Sequence, residues 1–360
     1  MEFGLSSGQA LLQDSVGRVL RDSASLERVQ RFAGGDESRA EDVWAALCEM
    51  DIPGLLIAEE HGGIGLDLLD AALVAEILGS HVVPAPFVAT AVMVPIAIFS
   101  AGSEMQQSRW LPELAKGTVI AGAAFTEAVS SRLDAQIRYR DGALHGKALF
   151  VLDFEAGLYL VADEKRALYL VEANAPGLER RRLTTIDKTR HVGELVFDNV
   201  AAEPLPGSSD PEVCARVIDA GRIVLAADTL GAARNMLTKA VAYSKERVQF
   251  GRAIGSFQAV KHMCAEMAAE LEPCRAMMWY AAHAFDAIPN EARLTACHTK
   301  AHISEVGTFV ARTSTEVHGG IGFTDELGLH LWFKRIGANR QLLGGPDQTR
   351  EEAAKLQGLV

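Results

Sequence analysis

The stretch that decides the fold is Arg247-Val248-Gln249-Phe250-Gly251, followed by Ile254, Phe257 and Gln258. It lies between two long Ala-rich helical patterns, so it predicts the end of one helix, a glycine turn and the start of another helix. An arginine beside exposed turn amides can bind a pyrophosphate in a bidentate manner. Taken alone, the pattern is more typical of a plain helical hairpin with a surface arginine.

A second glycine-rich stretch, His318-Gly319-Gly320-Ile321-Gly322-Phe323, follows about 70 residues later. Three glycines after a long helix allow another backbone, or a phosphate, to approach closely. Helix C-caps have the same composition, so this stretch by itself does not distinguish a ligand site from the end of a helix.

The spacing of hydrophobic residues along the rest of the chain divides it into three segments. Residues 1 to about 115 have helical spacing, residues of about 118–205 have short strand-like runs, and 211–360 are helical again. Within the middle part, Asp141-Gly142 predicts a tight hairpin turn. The run Ser209-Asp210-Pro211-Glu212 predicts the start of a helix. Alternating βαβ units are absent from the pattern, which argues against a doubly wound sheet.

Composition narrows the class of protein further. The chain has 360 residues, 49% hydrophobic and 23% charged, with a net charge of −12. This acidic balance argues against a general nucleic-acid binder. The N-terminus lacks signal-peptide features and no long apolar run predicts a membrane span, so we expect a cytoplasmic protein. The five widely spaced cysteines predict free thiols, and we expect no metal at the helical pair His298 and His302.

In this order, the two glycine-rich stretches resemble those of the acyl-CoA dehydrogenase family. Further segments carry the resemblance over nearly the whole chain: AEEHGGIGL at 58–66, Thr126-Glu127, LHGKALF at 144–150 and FKR at 333–335. Thr126-Glu127 resembles the first two residues of the family's TEPGxGSD flavin loop. The helix–β–helix order also resembles the three-part subunit of that family.

The resemblance implies an α+β, mainly α fold. An N-terminal helical domain (1–117), a central β-barrel-like domain (118–207) and a C-terminal four-helix bundle (208–360) are expected. It also implies non-covalent FAD and oxidation of an acyl-CoA thioester at its α,β carbons. A carboxylate removes the α proton while the flavin accepts a hydride. Electron-transfer flavoprotein is the implied electron acceptor, and a homo- or heterotetramer is the implied assembly.

The resemblance also assigns cofactor-binding residues. Arg247, Gln249, Phe250 and Gln258 would reach the adenosine pyrophosphate of a flavin in the neighbouring subunit, with Glu316, Gly319 and Gly320 at the same end. Gln348 would meet the cofactor in the last loop, and Thr126 is the residue that survives in the flavin loop. The rest of that loop has diverged, so the adenosine side is better preserved than the isoalloxazine side.

The general base is where this sequence departs from the family. Gly344 stands where most members have a glutamate, and Gly221, before Arg222, stands at the alternative base position. Asp228 lies seven residues after Gly221 in an apolar helical run. Such a carboxylate must be paired, protonated or functional. Asp228 is therefore the predicted base, with Asp347 in the final loop or a residue of a partner chain as alternatives.

Two functions follow from these departures. The chain is predicted to be a catalytic subunit of a heteromeric enzyme, resembling the small subunit of pimeloyl-CoA dehydrogenase and subunits of steroid side-chain dehydrogenases. The alternative is a non-catalytic structural or regulatory subunit of such a complex.

Overall fold

A computed structural model describes residues 4–35, 37, 39–129 and 136–360. The chain forms two compact units. The helical unit comprises Met1–Gly35, Ala72–Val83 and Ile223–Val360, and the β unit comprises Asp36–Ala71 and Pro84–Arg222. Each unit is therefore assembled from separate parts of the chain.

The β unit contains short helices and both four-stranded sheets. Its complete helices are α3 (Glu41–Cys48), α5 (Val94–Ala101), α6 (Glu104–Ala115) and α7 (Thr126–Val129). Two further helices, α4 (Leu68–Ser80) and α8 (Pro211–Glu246), begin in this unit and continue in the helical unit. Its strands are β1 (Ala121–Ala124), β2 (Arg138–Arg140), β3 (Ala143–Val151), β4 (Leu158–Ala162), β5 (Leu168–Glu172), β6 (Leu178–Arg182), β7 (Gly193–Ala201) and β8 (Glu203–Pro204).

The two sheets have the strand orders β1-β4-β5-β8 and β2-β3-β7-β6. β1 and β4 are parallel, and the remaining pairs in these sheets are antiparallel. A backbone bridge between Ala123 and Leu152 joins the two sheets, with N–O distances of 3.0 and 2.9 Å. This junction gives the central β domain its barrel-like character and confirms the predicted fold class.

Local sequence signals in the β unit are confirmed. Asp141 and Gly142 have φ values of 53° and 84° and close the two-residue turn between β2 and β3. Positive φ at both central positions matches the twist of the flanking strands, which explains the Asp-Gly choice. The Asp210 carboxylate accepts a hydrogen bond from the Glu212 N–H at 3.0 Å, so α8 begins where the capping pattern predicted.

The helical unit contains the longest helices. Its elements are α1 (Ser7–Ser23), α2 (Leu26–Gly34), the rest of α4 and of α8, β9 (Val248–Gln249), β10 (Arg252–Ala253), α9 (Gln258–Ala287), α10 (Pro289–His318), α11 (Leu329–Gln341) and α12 (Pro346–Leu356). α10 packs against α9, α11 and α12. Its Ser314 hydroxyl donates to the Met236 carbonyl of α8 at 2.8 Å, which completes the predicted C-terminal bundle.

The two compact units divide the chain differently from the three consecutive domains that were predicted. Residues 1–35 join the C-terminal helices, whereas residues 36–71 join the strands. The boundaries at 117 and 207 follow the change from helical to β character, and they stay a prediction. The five cysteines are free, as predicted. Among the described residues, no helix is both long enough and apolar enough to cross a membrane.

Two glycines permit a close crossing of α4 and α8 in the helical unit. A Cβ atom on Gly79 of α4 would lie 1.9 Å from the Asp228 carbonyl oxygen, and one on Gly231 of α8 would lie 1.7 Å from that of Glu76. The two backbones therefore touch where neither helix has a side chain. The α8 residues from Ile223 to Ala233 are all buried, as expected for a helix covered on every side.

We expect Gly231→Ala to destabilise the protein by about 3 kcal/mol, because the added methyl group must separate α4 and α8. Thermal and urea unfolding would measure the loss. Gly337→Ala in α11 is the matched control, since a Cβ there meets nothing within 4 Å. That control should be neutral or more stable by up to about 1 kcal/mol through helix propensity. Equal stabilities of the two variants would contradict the close crossing.

Candidate functional site

The connection between α8 and α9 is a β-hairpin rather than a simple glycine turn. β9 and β10 pair antiparallel, with Arg252 opposite Gln249. Phe250 and Gly251 form the turn with φ values of 53° and 75°. The Ile254 N–H donates to the Arg247 carbonyl at 2.8 Å and closes the hairpin at its base. The hairpin thus fixes the backbone on which the predicted binding residues stand.

The hairpin presents its functional side chains to the outside. Phe250 is 91% exposed, and its ring meets Phe257 edge-on at 6.1 Å between centroids. The Arg252 guanidinium lies 3.9 Å from the centre of the Phe257 ring. Arg247 is exposed, and in the described part of the chain no carboxylate lies within 4 Å of its guanidinium. An exposed guanidinium without an ion pair is able to bind an anionic ligand, as are other exposed arginines of the chain.

The end of α10 carries the second predicted group. Glu316, Gly319 and Gly320 are exposed, and Cβ atoms on either glycine would meet nothing within 4 Å. The His318 ring, directly before Gly319, stacks on Tyr243 near the end of α8 at 4.8 Å between centroids. This stack holds the last turns of α8 and α10 together, and both glycine-rich stretches start from those turns.

Gln258 is the exposed first residue of α9 and follows the hairpin directly. The last two predicted cofactor residues, Gln348 and Thr126, lie apart from this group in the sequence and make local contacts. Gln348 is exposed, and its Oε1 accepts the Gly345 N–H at 3.2 Å as part of the α12 cap. Thr126 lies in the β unit. Its buried hydroxyl donates to the Leu149 carbonyl at 2.6 Å and accepts the Leu149 N–H at 2.7 Å. One hydroxyl lone pair is left for another ligand.

The remainder of the predicted flavin loop falls partly outside the described residues. Residues 130–135 and the side chain of Glu127 are not described. Leu152, at the position where the family's strand has a hydroxyl, is buried and bridges to Ala123. Within the helical unit, the stack of His318 on Tyr243 brings together the helix ends from which the two glycine-rich stretches start. The assignment of residues on either side to a flavin stays a prediction.

The two positions assigned to a base by resemblance are glycines in different local structures, and only Gly344 has a backbone conformation that favours glycine. Leu343 and Gly344 have φ values of 56° and 101°. An L-residue at 344 would be strained in that conformation. Gly221 is buried within α8, beside the Asp219–Arg222 ion pair, whose N–O distance is 3.3 Å. Asp347, the weaker candidate, is exposed in the first turn of α12.

Asp228 is paired through both oxygens of its carboxylate. Arg335 Nη1 donates to Oδ2 at 3.2 Å, and Asn339 Nδ2 donates to Oδ1 at 2.6 Å. The side chains of Asp228 and Arg335 are only 4% and 1% exposed. Of the three possibilities for a buried carboxylate, the structure provides the paired one. These contacts favour a structural role, and the assignment of Asp228 as a base stays a prediction.

Sequence reasoning missed the partners of Asp228. Arg335 and Asn339 are four residues apart on α11, so both project from one helix face toward Asp228. Lys300 of α10 also reaches α11, where its buried ammonium donates to the Asn339 carbonyl at 2.7 Å and to the Arg340 carbonyl at 3.1 Å. The sequence did contain a sign of this network. Arg335 and Asn339 occur at helical spacing within an otherwise apolar, core-facing pattern.

Comparison with known proteins places the chain in a family. Models of the acyl-CoA dehydrogenase N-terminal and C-terminal domains match residues 6–118 and 212–355. The chain is 30% identical to acyl-CoA dehydrogenase IpdE2 of Mycolicibacterium smegmatis, over 99% of this chain and 100% of that relative. It is 31% identical to IpdE2 of Mycobacterium tuberculosis, over 97% and 96% of the two chains. The chain therefore belongs to the acyl-CoA dehydrogenase family.

A solved structure extends the comparison to three dimensions. The chain is similar to a chain of the Tcur3481-Tcur3483 steroid ACAD in a variant form. That similarity has a TM-score of 0.88 and 27% sequence identity, and it covers 98% of each chain. The predicted family and fold are thereby confirmed over nearly the full length.

We expect Asp228→Asn to destabilise the protein by about 3–5 kcal/mol, because it leaves the buried Arg335 guanidinium without its counter-charge. Urea unfolding would measure this loss. The double variant Asp228→Asn with Arg335→Met should recover part of the stability, since it removes both charges. Equal stability of wild type and Asp228→Asn would contradict a structural ion pair.

We expect His318 to make the helical unit sensitive to acid. Burial lowers the pKa of His318 below 6.5 and Lys239 lowers it further, against the hydrogen bond to the Ser314 carbonyl. The folded state therefore favours neutral His318. Its stabilisation is complete above about pH 6.5 and is lost as the pH falls through the lowered pKa. Urea unfolding from pH 5 to 8 should show a weaker acid dependence for His318→Phe than for wild type.

Burial also lowers the pKa of His81 in the same unit, so His81 contributes in the same direction. His81→Phe should therefore also weaken the acid dependence. The double variant should be less acid-sensitive than either single variant. An acid dependence unchanged by both substitutions would contradict the prediction.

Proposed function

We propose that this chain takes part in FAD-dependent α,β-dehydrogenation of an acyl-CoA thioester, as one subunit of a heteromeric enzyme. The observation that carries the proposal is the exposed hairpin of Arg247, Gln249 and Phe250 beside the open turn at Gly319 and Gly320. A chain with this retained hairpin and with glycine at both expected base positions suits a shared site better than a self-sufficient one.

The retained residues fit the phosphate and adenosine part of a flavin nucleotide. The unpaired Arg247 guanidinium can donate two parallel hydrogen bonds to a pyrophosphate. Phe250 offers an exposed ring, Gln249 and Gln258 offer amides, and Gly319 and Gly320 leave room for close approach. The Glu316 carboxylate suits a hydroxyl group rather than a phosphate, because like charges repel. When bound, the flavin would accept the hydride removed from the substrate.

Thr126 and Gln348 would each contribute a single type of hydrogen bond to the cofactor. The Thr126 hydroxyl proton is already used on Leu149, so Thr126 would only accept a hydrogen bond from the cofactor. The Gln348 side-chain oxygen caps α12, which leaves its amide N–H groups to donate. Both roles stay proposals, and they require no change in the local contacts of either residue.

The base is proposed to come from a partner chain. A general base must be within hydrogen-bond reach of the proton that it removes. Asp228 is buried and its two carboxylate oxygens accept hydrogen bonds from Arg335 and Asn339, so neither oxygen is free to approach a substrate. Asp347 is exposed and remains the alternative in this chain. In the assembled enzyme, the Asp347→Asn variant should exchange the substrate α proton at the wild-type rate. If the variant loses this exchange, Asp347 is the base instead.

Relatives support a heteromeric assembly. The steroid ACAD that this chain resembles at 27% identity is named for two components, Tcur3481 and Tcur3483. By analogy, the proposed substrate class is the acyl-CoA thioester of a fatty, dicarboxylic or steroid side chain, with electron-transfer flavoprotein as acceptor. A tetramer and a cytoplasmic location complete the proposal.

A second candidate is a non-catalytic subunit that supports a flavin-bearing partner. Glycine at both base positions and the paired state of Asp228 favour it. Purification of the chain alone and with its partner distinguishes the two functions. Flavin absorbance that bleaches with acyl-CoA, at fewer than one FAD per chain in the complex, supports the first. A complex whose activity survives loss of the Arg247 contact supports the second.

We expect Arg247→Ala to weaken FAD binding by the assembled enzyme about 10- to 100-fold, since a charge-assisted hydrogen-bond pair to phosphate is lost. Arg247→Lys should recover part of the affinity through its charge. Arg18→Ala is the matched control, because Arg18 on α1 faces solvent and pairs with Asp14 at 3.4 Å. Flavin fluorescence titration would measure Kd. An unchanged Kd for Arg247→Ala would remove this arginine from the cofactor site.

A further inference from the structure

His318, the last residue of α10, is buried and has one ring nitrogen that is not used within the chain. The residue is only 4% exposed, and its ring stacks on Tyr243 of α8. Nδ1 lies 2.7 Å from the Ser314 carbonyl, which can only accept a hydrogen bond, so Nδ1 carries a proton and donates. In the neutral ring, Nε2 is therefore an acceptor.

The Nε2 atom of His318 is open to the surface. None of the described residues makes a hydrogen bond to it. It is also not one of the side-chain atoms that are both buried and without a hydrogen-bond partner. Nε2 therefore keeps contact with solvent although the rest of the residue is buried. An acceptor held in this way is available to a ligand that can donate a hydrogen bond.

The direction in which Nε2 points follows from the packing of α8 and α10. Ser314 contacts Met236 and His318 contacts Tyr243, so the two helices run in the same direction here. Nδ1 points back along α10 toward Ser314, so Nε2, on the other side of the ring, points toward the ends of both helices. Those ends carry the two glycine-rich stretches, and the Arg247 N–H donates to the Tyr243 carbonyl at 2.9 Å. Nε2 thus points toward the predicted nucleotide-binding residues.

The groups around the ring favour its neutral form. Burial lowers the pKa of His318, and the Lys239 ammonium, one turn before Tyr243 on α8, lowers it further. Lys239 in turn lies 5.0 Å from the centre of the Trp332 ring, so α11 contributes an aromatic group at this place. The glycine-rich turn after His318 contains no ionisable residue, and Glu316 on α10 is exposed. A neutral ring suits a hydroxyl group, whereas a phosphate would require a protonated one.

We infer that His318 is a specificity residue of the nucleotide site, where Nε2 accepts a hydrogen bond from a hydroxyl group of the adenosine ribose. The inference rests on the proposed function, because this ribose belongs to the flavin nucleotide whose pyrophosphate Arg247 would bind. The ribose carries two hydroxyl groups, and each can donate. The stack on Tyr243 fixes the plane of the ring, so the acceptor is in place before the ligand binds.

Fluorescence titration of the assembled enzyme with FAD from pH 5.5 to 8 tests the inference. Wild-type affinity should be constant above about pH 6.5 and decrease as the pH falls through the lowered pKa, because the protonated ring cannot accept a hydrogen bond. His318→Gln retains an acceptor that does not titrate. It should bind FAD within about 3-fold of wild type at pH 8 and lose the pH dependence.

Two further variants complete this titration. His318→Phe keeps the stack and removes the acceptor, so it should bind FAD about 3- to 10-fold more weakly at pH 8 and show no pH dependence from this residue. His298→Gln, at an exposed histidine of the same helix, is the matched control and should behave as wild type.

FAD analogues that lack the 2′- or the 3′-hydroxyl of the adenosine ribose identify the donor. One of them should bind the wild type about 3- to 10-fold more weakly than FAD, and His318→Phe should bind that analogue and FAD equally. Equal binding of FAD and both analogues by the wild type would overturn the inference. Wild-type affinity that increases at acid pH would also overturn it, because that result indicates a phosphate at the ring.

Arg247→Ala separates this inference from the proposed function. If Arg247→Ala weakens FAD binding and the His318 variants keep wild-type affinity, only the hydroxyl contact is wrong. If neither substitution changes the affinity, the flavin site itself is wrong.

Discussion

The buried ion pair between Asp228 and Arg335 is the constraint on which the helical unit depends. Both charges are almost completely removed from water, so each depends on the other and on neighbouring polar groups for its stabilisation. Asn339 donates to Asp228, and Arg335 Nη2 donates to the Val83 carbonyl at 2.9 Å. Three parts of the chain, the end of α4, α8 and α11, must therefore keep one arrangement. The glycine crossing of α4 and α8 brings the backbones close enough for this network to form.

This network also constrains the backbone conformation of the loop that follows α11. Lys300 and Asn339 fix the last turn of α11, directly before Leu343 and Gly344. The backbone there adopts positive φ values that favour glycine at 344. A loop fixed in this way supports its surroundings, but it offers no proton acceptor at that position. Rigid support without a local base is the arrangement expected where another chain supplies the reacting group.

In contrast to the buried ion pair, the side chains of the hairpin between α8 and α9 are exposed to solvent. Arg247 and Phe250 are exposed, and the nearby glycines at 319 and 320 have open space above them. The buried charges of Asp228 and Arg335 are paired with each other, whereas the exposed Arg247 guanidinium has no carboxylate within 4 Å in the described part of the chain. The contrast separates residues that stabilise the fold from residues that are available to a ligand, and it is the main support for a flavin site.

Much of the fold could be predicted from local sequence. The Asp141-Gly142 turn, the start of α8 at Pro211 and the helices on both sides of Phe250-Gly251 depend on neighbouring residues alone. The strand β6 was missed because its exposed Glu179-Arg180-Arg181-Arg182 run has the composition of a solvated surface. Backbone pairing to β7 creates that strand, and side-chain patterning does not record such pairing.

The sequence by itself determined the family, the order of helices and strands, and the residues suited to an anion. These properties follow from short-range patterns and from motifs with fixed spacing. Only the tertiary structure decided the state of Asp228, whose partners lie more than a hundred residues away on α11. A carboxylate has one chemistry in the sequence, and its surroundings in the fold determine which part of that chemistry is used.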